Sequence, residues 1–480
     1  MATSSTAAEA MRTKPIAVFM AFGTKGDVYP IAAIAAAFAS DQRQYEVAFV
    51  THSAHENLKG HLGAKGVAYF PVCSPPVLSS QQHNDTGGST GSSFSLQKKE
   101  IRRKHRQECL SIVEGIYGGG PILDGDLIII NFFALEGWSL AELFHVNCVV
   151  AAPYLVPYSA PSSFERQFRN ELPLLYKYLQ EAPTGKDPVT GLPTWHERPS
   201  APLLLYGFSQ EVVECPGYWP SAVRVCGFWF FPSEWQFSCT GCAEISSLIC
   251  SGKLNAEDEL CLVHAKLKEF LGSSEEQPIF ISLSSVGSMG YLKNPQAFLR
   301  VLGNVLSITS HRFILLTAGY GPLDAAIKMF AQTPSSTSER TQPGEVQSWL
   351  FDGRLFCFSG GSTAAALHAG IPQVICPFIL DQFYWAERMF WLGVAPEPLK
   401  CSCLLPDKDD DSCILEAANM LVGAINYALS PEVKLHAKQI ANRISTEVSS
   451  IIVWIDDVTS QTGCIVPIEI YSCSTIYLCE

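Results

Sequence analysis

Near its N-terminus the sequence alternates strand-like and helix-like segments, and this alternation constrains the fold more than any other feature. PIAVFM (15–20) is a short apolar run, AFGTKGDVYP (21–30) holds the glycines of a turn, IAAIAAAFAS (31–40) is alanine-rich, and YEVAFVTH (45–52) is apolar again. A strand, a helix and a strand at this spacing form a βαβ unit, which implies a parallel sheet. The runs VAYFPV (67–72), DLIII (126–130) and VNCVVAAPY (146–154) continue the pattern.

A second series of strand-like runs follows. Its members are QPIFISLSS (277–285), HRFILLTAG (311–319), RLFCFS (354–359) and PQVICPF (372–378). Because 480 residues are long for one core, two domains are expected. We predict an α/β protein with two Rossmann-like, doubly wound domains facing a cleft, with ligands at the carboxyl ends of the strands.

The predicted divisions follow from composition. We expect a disordered tail at 1–14, an N-terminal domain at 15–230 with a flexible loop at 74–95, a connection at 231–275, a C-terminal domain at 276–447, and an atypical tail at 448–480. A further flexible insertion is expected at 331–344.

Charge and cysteine content narrow the partners. A formal charge of −13 argues against nucleic acid as a ligand. The basic run KKEIRRKHR (98–106) is either a solvated helix face or a contact for anionic lipid headgroups. The 17 cysteines follow a start without an apolar leader, which favours reduced thiols in the cytoplasm. No apolar run of about 20 residues is present, so any membrane contact is expected to be peripheral, and no metal site is predicted.

Asp27 is the first candidate for chemistry. Gly23 and Gly26 allow a tight turn between the first strand and its helix, and Asp27 then lies at the carboxyl end of that strand. A carboxylate there can act as a general base when burial or a neighbour adjusts its pKa. It can equally be a helix-capping residue, and the sequence alone leaves both roles open.

The second candidate site lies in the other half. Gly360, Gly361, Ser362 and Thr363 precede a helix-like segment, where exposed amides favour a phosphate or diphosphate. After the next apolar run come Asp381 and Gln382, whose side chains suit a ligand rich in hydroxyl groups. Ion pairing or capping is the alternative for that pair.

Four segments in order resemble one family. GTKGDVYPIAAIAAAF (23–38) resembles the opening of sterol 3-beta-glucosyltransferases and related UDP-sugar-dependent glycosyltransferases. LLYGFSQEVVECPGYWPSAVRVCGFWF (204–230), STAAALHAGIPQVICPFILDQFYWAERMFWLGVAPEPL (362–399) and SPEVKLHAKQIANRIS (430–445) are similar to later blocks of that family.

The resemblance implies a GT-B fold and an activity. It implies inverting transfer of a hexose, with glucose favoured, from a UDP-sugar co-substrate to a hydroxyl of a lipophilic, sterol-like acceptor, without an obligatory cofactor or metal. Asp27 matches the family's base, within the turn formed by Gly23, Thr24 and Gly26. Asp381 and Gln382 match the pair that holds the glucose hydroxyls. Ser362 and Thr363 match the hydroxyl residues of the diphosphate turn at Gly360–Thr363.

The chain also departs from the family. Histidines precede the glycines of the diphosphate turn in the family, whereas RLFCFSGGST (354–363) has none. One alignment matches Trp349-Leu350-Phe351 to the family's WLF and leaves a gap of a few residues before Gly360. The other, which the strand-like composition of DGRLFCF (352–358) favours, lacks a loop and a strand, roughly 20 residues, before this turn. The tail from 448 onward does not resemble the family's last helix. These departures favour an alternative function: a catalytically impaired relative, or a splice product, that acts as a lipid- or partner-binding protein.

Two further groups of side chains carry expectations. His52, His55 and His61 have no cysteine or carboxylate at metal-binding spacing, so they are expected to be solvated or capping residues. Tyr154, Tyr158 and Phe164 lie where acceptor-binding loops are expected and are candidates for lining a lipophilic pocket.

Overall fold

The computed structural model describes most of the chain, with gaps. The described residues are 12–74, 91–118, 121–153, 203–213, 223–230, 244–245, 248–249, 251–254, 262–273, 277–283, 290–317, 320–332, 355–357, 360–378, 381–406 and 410–447.

The N-terminal unit is built on a parallel sheet of seven strands. The strands are β1 (Ile16–Met20), β2 (Glu46–His52), β3 (Val67–Val72), β4 (Leu127–Ile130), β5 (Asn147–Ala152), β6 (Leu203–Tyr206) and β7 (Val223–Val225). Their order is β3-β2-β1-β4-β5-β6-β7, and every neighbouring pair is parallel. The order reverses direction between β1 and β4, so the carboxyl ends of these two strands form the position where such sheets bind ligands.

Helices cover both faces of this sheet. They are α1 (Lys25–Asp41), α2 (Leu58–Ala64), α3 (Gly91–Tyr117) and α4 (Glu136–Phe144), with a short 3-10 turn at Ser53–His55. Alternate residues of β1 enter two different cores: Phe19 joins the layer that contains α1, and Met20 joins the layer that contains residues of α3 and α4. Fully buried strands with apolar residues on both faces are typical of a parallel sheet.

The C-terminal unit has a second parallel sheet. Its strands β8 (Ile279–Ser282), β9 (Phe313–Leu316), β10 (Leu355–Cys357) and β11 (Val374–Ile375) lie in the order β11-β10-β8-β9. The associated helices are α5 (Leu262–Gly272), α6 (Pro295–Ile308), α7 (Gly321–Gln332), α8 (Gly360–His368), α9 (Gln382–Trp391), α10 (Cys401–Leu404), α11 (Asp411–Ala428) and α12 (Pro431–Ile444). Two parallel sheets with crossover helices confirm the predicted α/β class.

The last helix returns the chain to the N-terminal unit. The Ser430 side chain caps α12 at its start, and beyond its end Glu447 Oε1 accepts hydrogen bonds from Ser209 Oγ at 2.8 Å and from the backbone N of Glu211 at 3.2 Å. Arg443 pairs with Glu211 at 3.2 Å. The two units are therefore joined by polar contacts that span more than two hundred residues of sequence.

Three expectations about boundaries differ from the structure. Residues 12–14 are not part of a loose tail, because both terminal nitrogens of Arg12 donate to Asp126, at 2.7 and 2.6 Å. The predicted loop at 74–95 is too long, because α3 already begins at Gly91. Within the predicted connection, α5 packs on the C-terminal unit, since Arg312 donates to the carbonyl of Phe270 at 2.6 Å. The remaining domain limits stay predictions.

The first turn is also shorter than expected. The glycines of residues 21–30 predict a turn over this stretch, but α1 begins at Lys25 and includes Pro30. The residues of the tails at 1–11 and 448–480 and of the insertion at 333–344 lie outside the described part of the chain.

Within the described residues, no single helix is both long and apolar enough to cross a bilayer. The pair formed by α11 and α12 meets the length and composition criteria only when taken together, and it is bent by 60°.

Candidate functional site

Asp27 occupies the third position of α1, directly after the β1 turn. Thr24 is the N-cap residue of the helix. Asp27 Oδ2 accepts hydrogen bonds from the backbone N and from Oγ1 of Thr24, both at 2.7 Å. The bond from the Thr24 backbone N is one half of a capping box, whose other half joins the backbone N of Asp27 to the Thr24 side chain. Among the described residues, the second oxygen, Oδ1, has no hydrogen-bond partner, so capping occupies one side of the carboxylate and leaves the other for a ligand.

Gly23 is required by the geometry of this turn. Its φ of +111° lies in a region that L side chains rarely adopt, and a Cβ at this position would be 2.6 Å from Asp27 Oδ2. Gly26 differs, because it lies inside α1 and its nearest neighbour would be Thr24 Oγ1 at 3.7 Å. Only the first of the two glycines predicted for the turn is thus needed to place the carboxylate.

Asn131 fixes the same turn from β4, a role that sequence reasoning missed. It is fully buried immediately after the strand. Its Nδ2 donates to the carbonyl of Phe22 at 2.8 Å and to that of Asp27 at 3.2 Å, while Oδ1 accepts from the backbone N of Phe22 at 3.2 Å. A polar residue directly after an apolar strand is the available signal, but its partners are more than a hundred residues away.

The surroundings of Asp27 change its acidity. Although the residue is partly exposed, the protein around it shields the carboxyl group from water, and this desolvation raises the pKa of Asp27 to about 6, against the lowering effect of the Thr24 bonds. A carboxylate with a pKa near neutrality is ionised at pH 7 and is basic enough to accept a proton from a hydroxyl group.

The predicted diphosphate turn lies at the start of α8, after β10. Gly360 and Gly361 form the first turn of this helix, whose amides point toward its N-terminus. Thr363 is buried, with 3 % of its surface exposed. The side-chain Nε2 of Gln373 donates to the backbone carbonyl oxygen of Thr363 at 3.4 Å. The side chain of Ser362 lies outside the described residues. Because a diphosphate binds at the surface, the amides of the first helical turn suit this role better than the buried Thr363 hydroxyl.

Asp381 and Gln382 lie at the start of α9. Trp385 Nε1 donates to Asp381 Oδ2 at 2.9 Å, and Gln382 Oε1 accepts from the backbone N of Phe378 at 2.8 Å. The Asp381 carboxylate makes no capping bond to its own helix and pairs with no cation among the described residues. Within the described residues, neither a capping bond nor an ion pair engages this carboxylate, so its role in binding stays a prediction.

The negative charge of Asp27 acts on the second candidate carboxylate, Asp381. Burial raises the pKa of Asp381 to about 7; the bond from Trp385 lowers it, and the negative charge of Asp27 raises it. Asp27 belongs to the N-terminal unit and Asp381 to the C-terminal unit, so the fold brings together two acidic groups that the sequence separates by 354 positions (381 minus 27). Paired groups with perturbed pKa values are typical of functional sites.

The histidines differ from the expectation of solvated residues. His52 and His55 are both buried, each with 6 % exposure. His55 Nε2 lies 3.1 Å from the carbonyl oxygen of Gly23, and so it supports the turn that holds Asp27. His52 packs against Phe22, with ring centroids 4.7 Å apart, and burial lowers its pKa to about 4, which keeps it neutral.

Some predicted features cannot be placed. Tyr154, Tyr158 and Phe164 lie outside the described residues, as do Lys98 and Lys99 of the basic run as far as their side chains are concerned. In the part of the chain that the structure covers, no group of three or more His, Cys, Asp or Glu side chains could hold a metal ion.

Comparisons with known proteins point in one direction. No family model matches the chain. It is 22 % identical over 458 residues to a sterol 3-beta-glucosyltransferase of Arabidopsis thaliana, covering 88 % of this chain and 65 % of the relative. It is 21 % identical to the sterol 3-beta-glucosyltransferase of Aspergillus fumigatus over 78 % of this chain and 26 % of the relative. A terpene cyclase–glycosyl transferase fusion protein of Humicola fuscoatra is 32 % identical over 137 residues, 28 % of this chain and 10 % of the fusion protein.

The structural comparison agrees. The crystal structure of CalG4, the calicheamicin glycosyltransferase, superposes with a TM-score of 0.50 at 15 % identity, covering 90 % of this chain and 94 % of the other. The fold is therefore the GT-B fold of glycosyltransferases, and the sequence resembles the sterol 3-beta-glucosyltransferases over most of its length. The chain spans less than two thirds of the length of each of these three curated relatives.

Proposed function

We propose that this chain is an inverting glycosyltransferase that moves glucose from UDP-glucose to a hydroxyl of a lipophilic, sterol-like acceptor. The observation that carries the proposal is the pair Asp27 and Asp381, one from each unit: both carboxyl groups have raised pKa values, and the charge of Asp27 contributes to the shift of Asp381.

Asp27 acts as the general base. Its Oδ2 is held by Thr24, and its Oδ1 accepts the proton of the acceptor hydroxyl as that oxygen attacks the anomeric carbon. The bond between the anomeric carbon and the diphosphate oxygen breaks at the same time, and UDP leaves with the bonding electron pair. Attack from the face opposite the leaving group inverts the anomeric carbon.

The donor is oriented from the C-terminal unit. Asp381 accepts hydrogen bonds from sugar hydroxyls, and Gln382 lies beside it at the start of α9. The amides of the first turn of α8 face the diphosphate, where the positive end of a helix stabilises negative charge as it develops. No step in this scheme requires a protein-bound cofactor.

The acceptor and donor classes rest on the relatives. Two of the curated proteins similar to this chain are named as sterol 3-beta-glucosyltransferases, which supports a sterol-like acceptor and glucose as the sugar. Peripheral contact of the basic run on α3 with anionic lipid would bring the protein to such an acceptor, and a cytoplasmic location is compatible with it.

The predicted UDP-sugar site supports a second candidate function. The histidines that the family places before the diphosphate turn are missing, and Thr363 is buried. Losing one hydrogen-bond donor to a developing oxyanion typically lowers the rate by roughly 10²–10³. The second candidate is therefore a lipid- or partner-binding protein with a weakened donor site.

Calorimetric titration with UDP-glucose separates the two candidates. The proposal predicts binding to the wild-type chain and its loss in the double variant Asp381→Ala, Gln382→Ala. If the folded wild-type protein does not bind UDP-glucose, transfer is excluded and the binding role becomes the better account.

A further inference from the structure

We propose that Trp385 is a positioning residue through which the N-terminal unit fixes the orientation of the Asp381 carboxylate. This inference rests on the proposed function for what Asp381 binds, but the contact itself can be tested without any donor.

The first step is the bond between the two side chains. Trp385 lies one helical turn after Asp381 on α9, so its indole reaches back to the carboxylate, and Nε1 donates to Oδ2 at 2.9 Å. A hydrogen bond to a charged group that is shielded from water is among the stronger ones in proteins. It leaves Asp381 Oδ1 as the oxygen available to a ligand hydroxyl.

The second step is the contact across the two units. Trp385 is buried, with 4 % exposure, and its ring meets Phe208 of the N-terminal unit edge to face, with centroids 5.8 Å apart. Phe208 is itself fully buried and stacks on Tyr206 of β6 at 4.6 Å. The contact with Phe208 leaves the indole of Trp385 little freedom to turn away from Asp381.

A third contact keeps α9 in the same place. Arg388, three residues after Trp385, donates from Nε to the carbonyl oxygen of Val212 in the N-terminal unit. Contacts at two successive positions of the α9 face thus connect the segment after β6 with the helix that begins at Gln382. The packing of α9 against the N-terminal unit therefore fixes the orientation of the Asp381 carboxylate.

Only one other ionisable group acts on Asp381 in the part of the chain that the structure describes. It is Asp27 of α1, whose negative charge opposes ionisation of Asp381, whereas the Trp385 bond favours it. Because hydroxyl groups donate to the ionised carboxylate, donor affinity should increase as pH rises through the Asp381 transition. Removing the indole N–H should move that transition to higher pH.

The experiment compares Trp385→Phe with Trp229→Phe. Trp229 is also buried, and among the described residues its Nε1 has no hydrogen-bond partner, so its replacement removes an indole without removing such a bond. The chain has nine tryptophans, so with ¹⁵N-labelled indole groups the Trp385 resonance is identified by its loss in Trp385→Phe. UDP-glucose affinity is measured against pH by calorimetry in both variants and in the wild type.

We expect the Trp385 resonance to shift with pH with a midpoint near 7 and to stop responding in Asp381→Asn. In Trp385→Phe the donor affinity at pH 7 should fall about tenfold, and its pH transition should rise by about one pH unit. Trp229→Phe should match the wild type in both respects.

Two results would overturn the inference. One is a Trp385 resonance whose pH response is the same in Asp381→Asn as in the wild type. The other is a Trp385→Phe variant whose donor affinity has the same pH transition as that of Trp229→Phe. If even the wild type fails to bind UDP-glucose, the proposed donor is wrong, and the indole titration alone decides whether Trp385 positions Asp381.

Discussion

Replacing Gly23 with alanine should separate the placement of the Asp27 carboxylate from the rest of the fold. The added Cβ would be 2.6 Å from Asp27 Oδ2 and 2.9 Å from its Cβ, distances that real Cβ atoms do not reach. The carboxylate must therefore move, and its bonds to Thr24 must lengthen or break. A φ of +111° adds backbone strain for any residue with a side chain.

The magnitudes follow from these two effects. Strain at such a position costs on the order of 1–3 kcal/mol of unfolding free energy. A displacement of a catalytic group by about 1 Å can lower the rate by roughly 10²-fold. We expect Gly23→Ala to lower the transfer rate far more than its modest loss of stability would explain, because most of the protein stays folded.

Gly26→Ala is the matched control, since it lies three residues away inside α1. Its new Cβ would have Thr24 Oγ1 at 3.7 Å as its nearest neighbour, an ordinary contact. Replacing a helical glycine with alanine typically stabilises by about 0.5–1 kcal/mol. Sterol glucosylation and denaturant unfolding are measured for both variants. If Gly23→Ala keeps wild-type activity and stability, the turn does not position Asp27 as described.

Three other changes test separate parts of the account. Asp27→Asn should lower the transfer rate by roughly 10²–10⁴, while UDP-glucose affinity stays near wild type. The wild-type rate should rise with pH through about 6, because Asp27 must be ionised to act as a base. Steady-state kinetics from pH 5 to 8 checks both expectations. Asn131→Ala removes four side-chain hydrogen bonds, two of them fully buried, and should cost about 4 kcal/mol of unfolding free energy, measured by urea denaturation, with a lower transfer rate. Glu447→Ala removes the bonds to Ser209 and Glu211 and should loosen the two units, which small-angle scattering and limited proteolysis would show as a larger radius and faster cleavage between them.

Short apolar runs in the sequence predict the strands well. Residues 67–72 form β3 as predicted, and β1, β2 and β4 lie within the predicted runs. These segments are short and apolar because a parallel sheet buries both faces, so local composition carries the information. The Gly360–Thr363 turn was expected before a helix and instead forms the first turn of α8.

Contacts between distant segments could not be predicted in this way. The helix α1 includes Pro30 because the Thr24–Asp27 capping box starts it earlier than composition indicates. His55 was expected to be a solvated or capping residue, but the fold buries it, with Nε2 3.1 Å from the carbonyl oxygen of Gly23. Asn131 and Trp385 gain their roles only from partners that the fold supplies, a turn at residues 22–27 and a ring at position 208. A single sequence gives the residues but not these pairings.

The central claim is that Asp27 removes the proton of an acceptor hydroxyl while the C-terminal unit holds a UDP-sugar. The most direct test is transfer of labelled glucose from UDP-glucose to a sterol by the purified wild-type chain and by Asp27→Asn, with donor binding measured on the same samples. We expect labelled sterol glucoside from the wild type, and little product from Asp27→Asn despite intact donor binding. Equal product from both proteins, or none from a wild type that binds UDP-glucose, would contradict it.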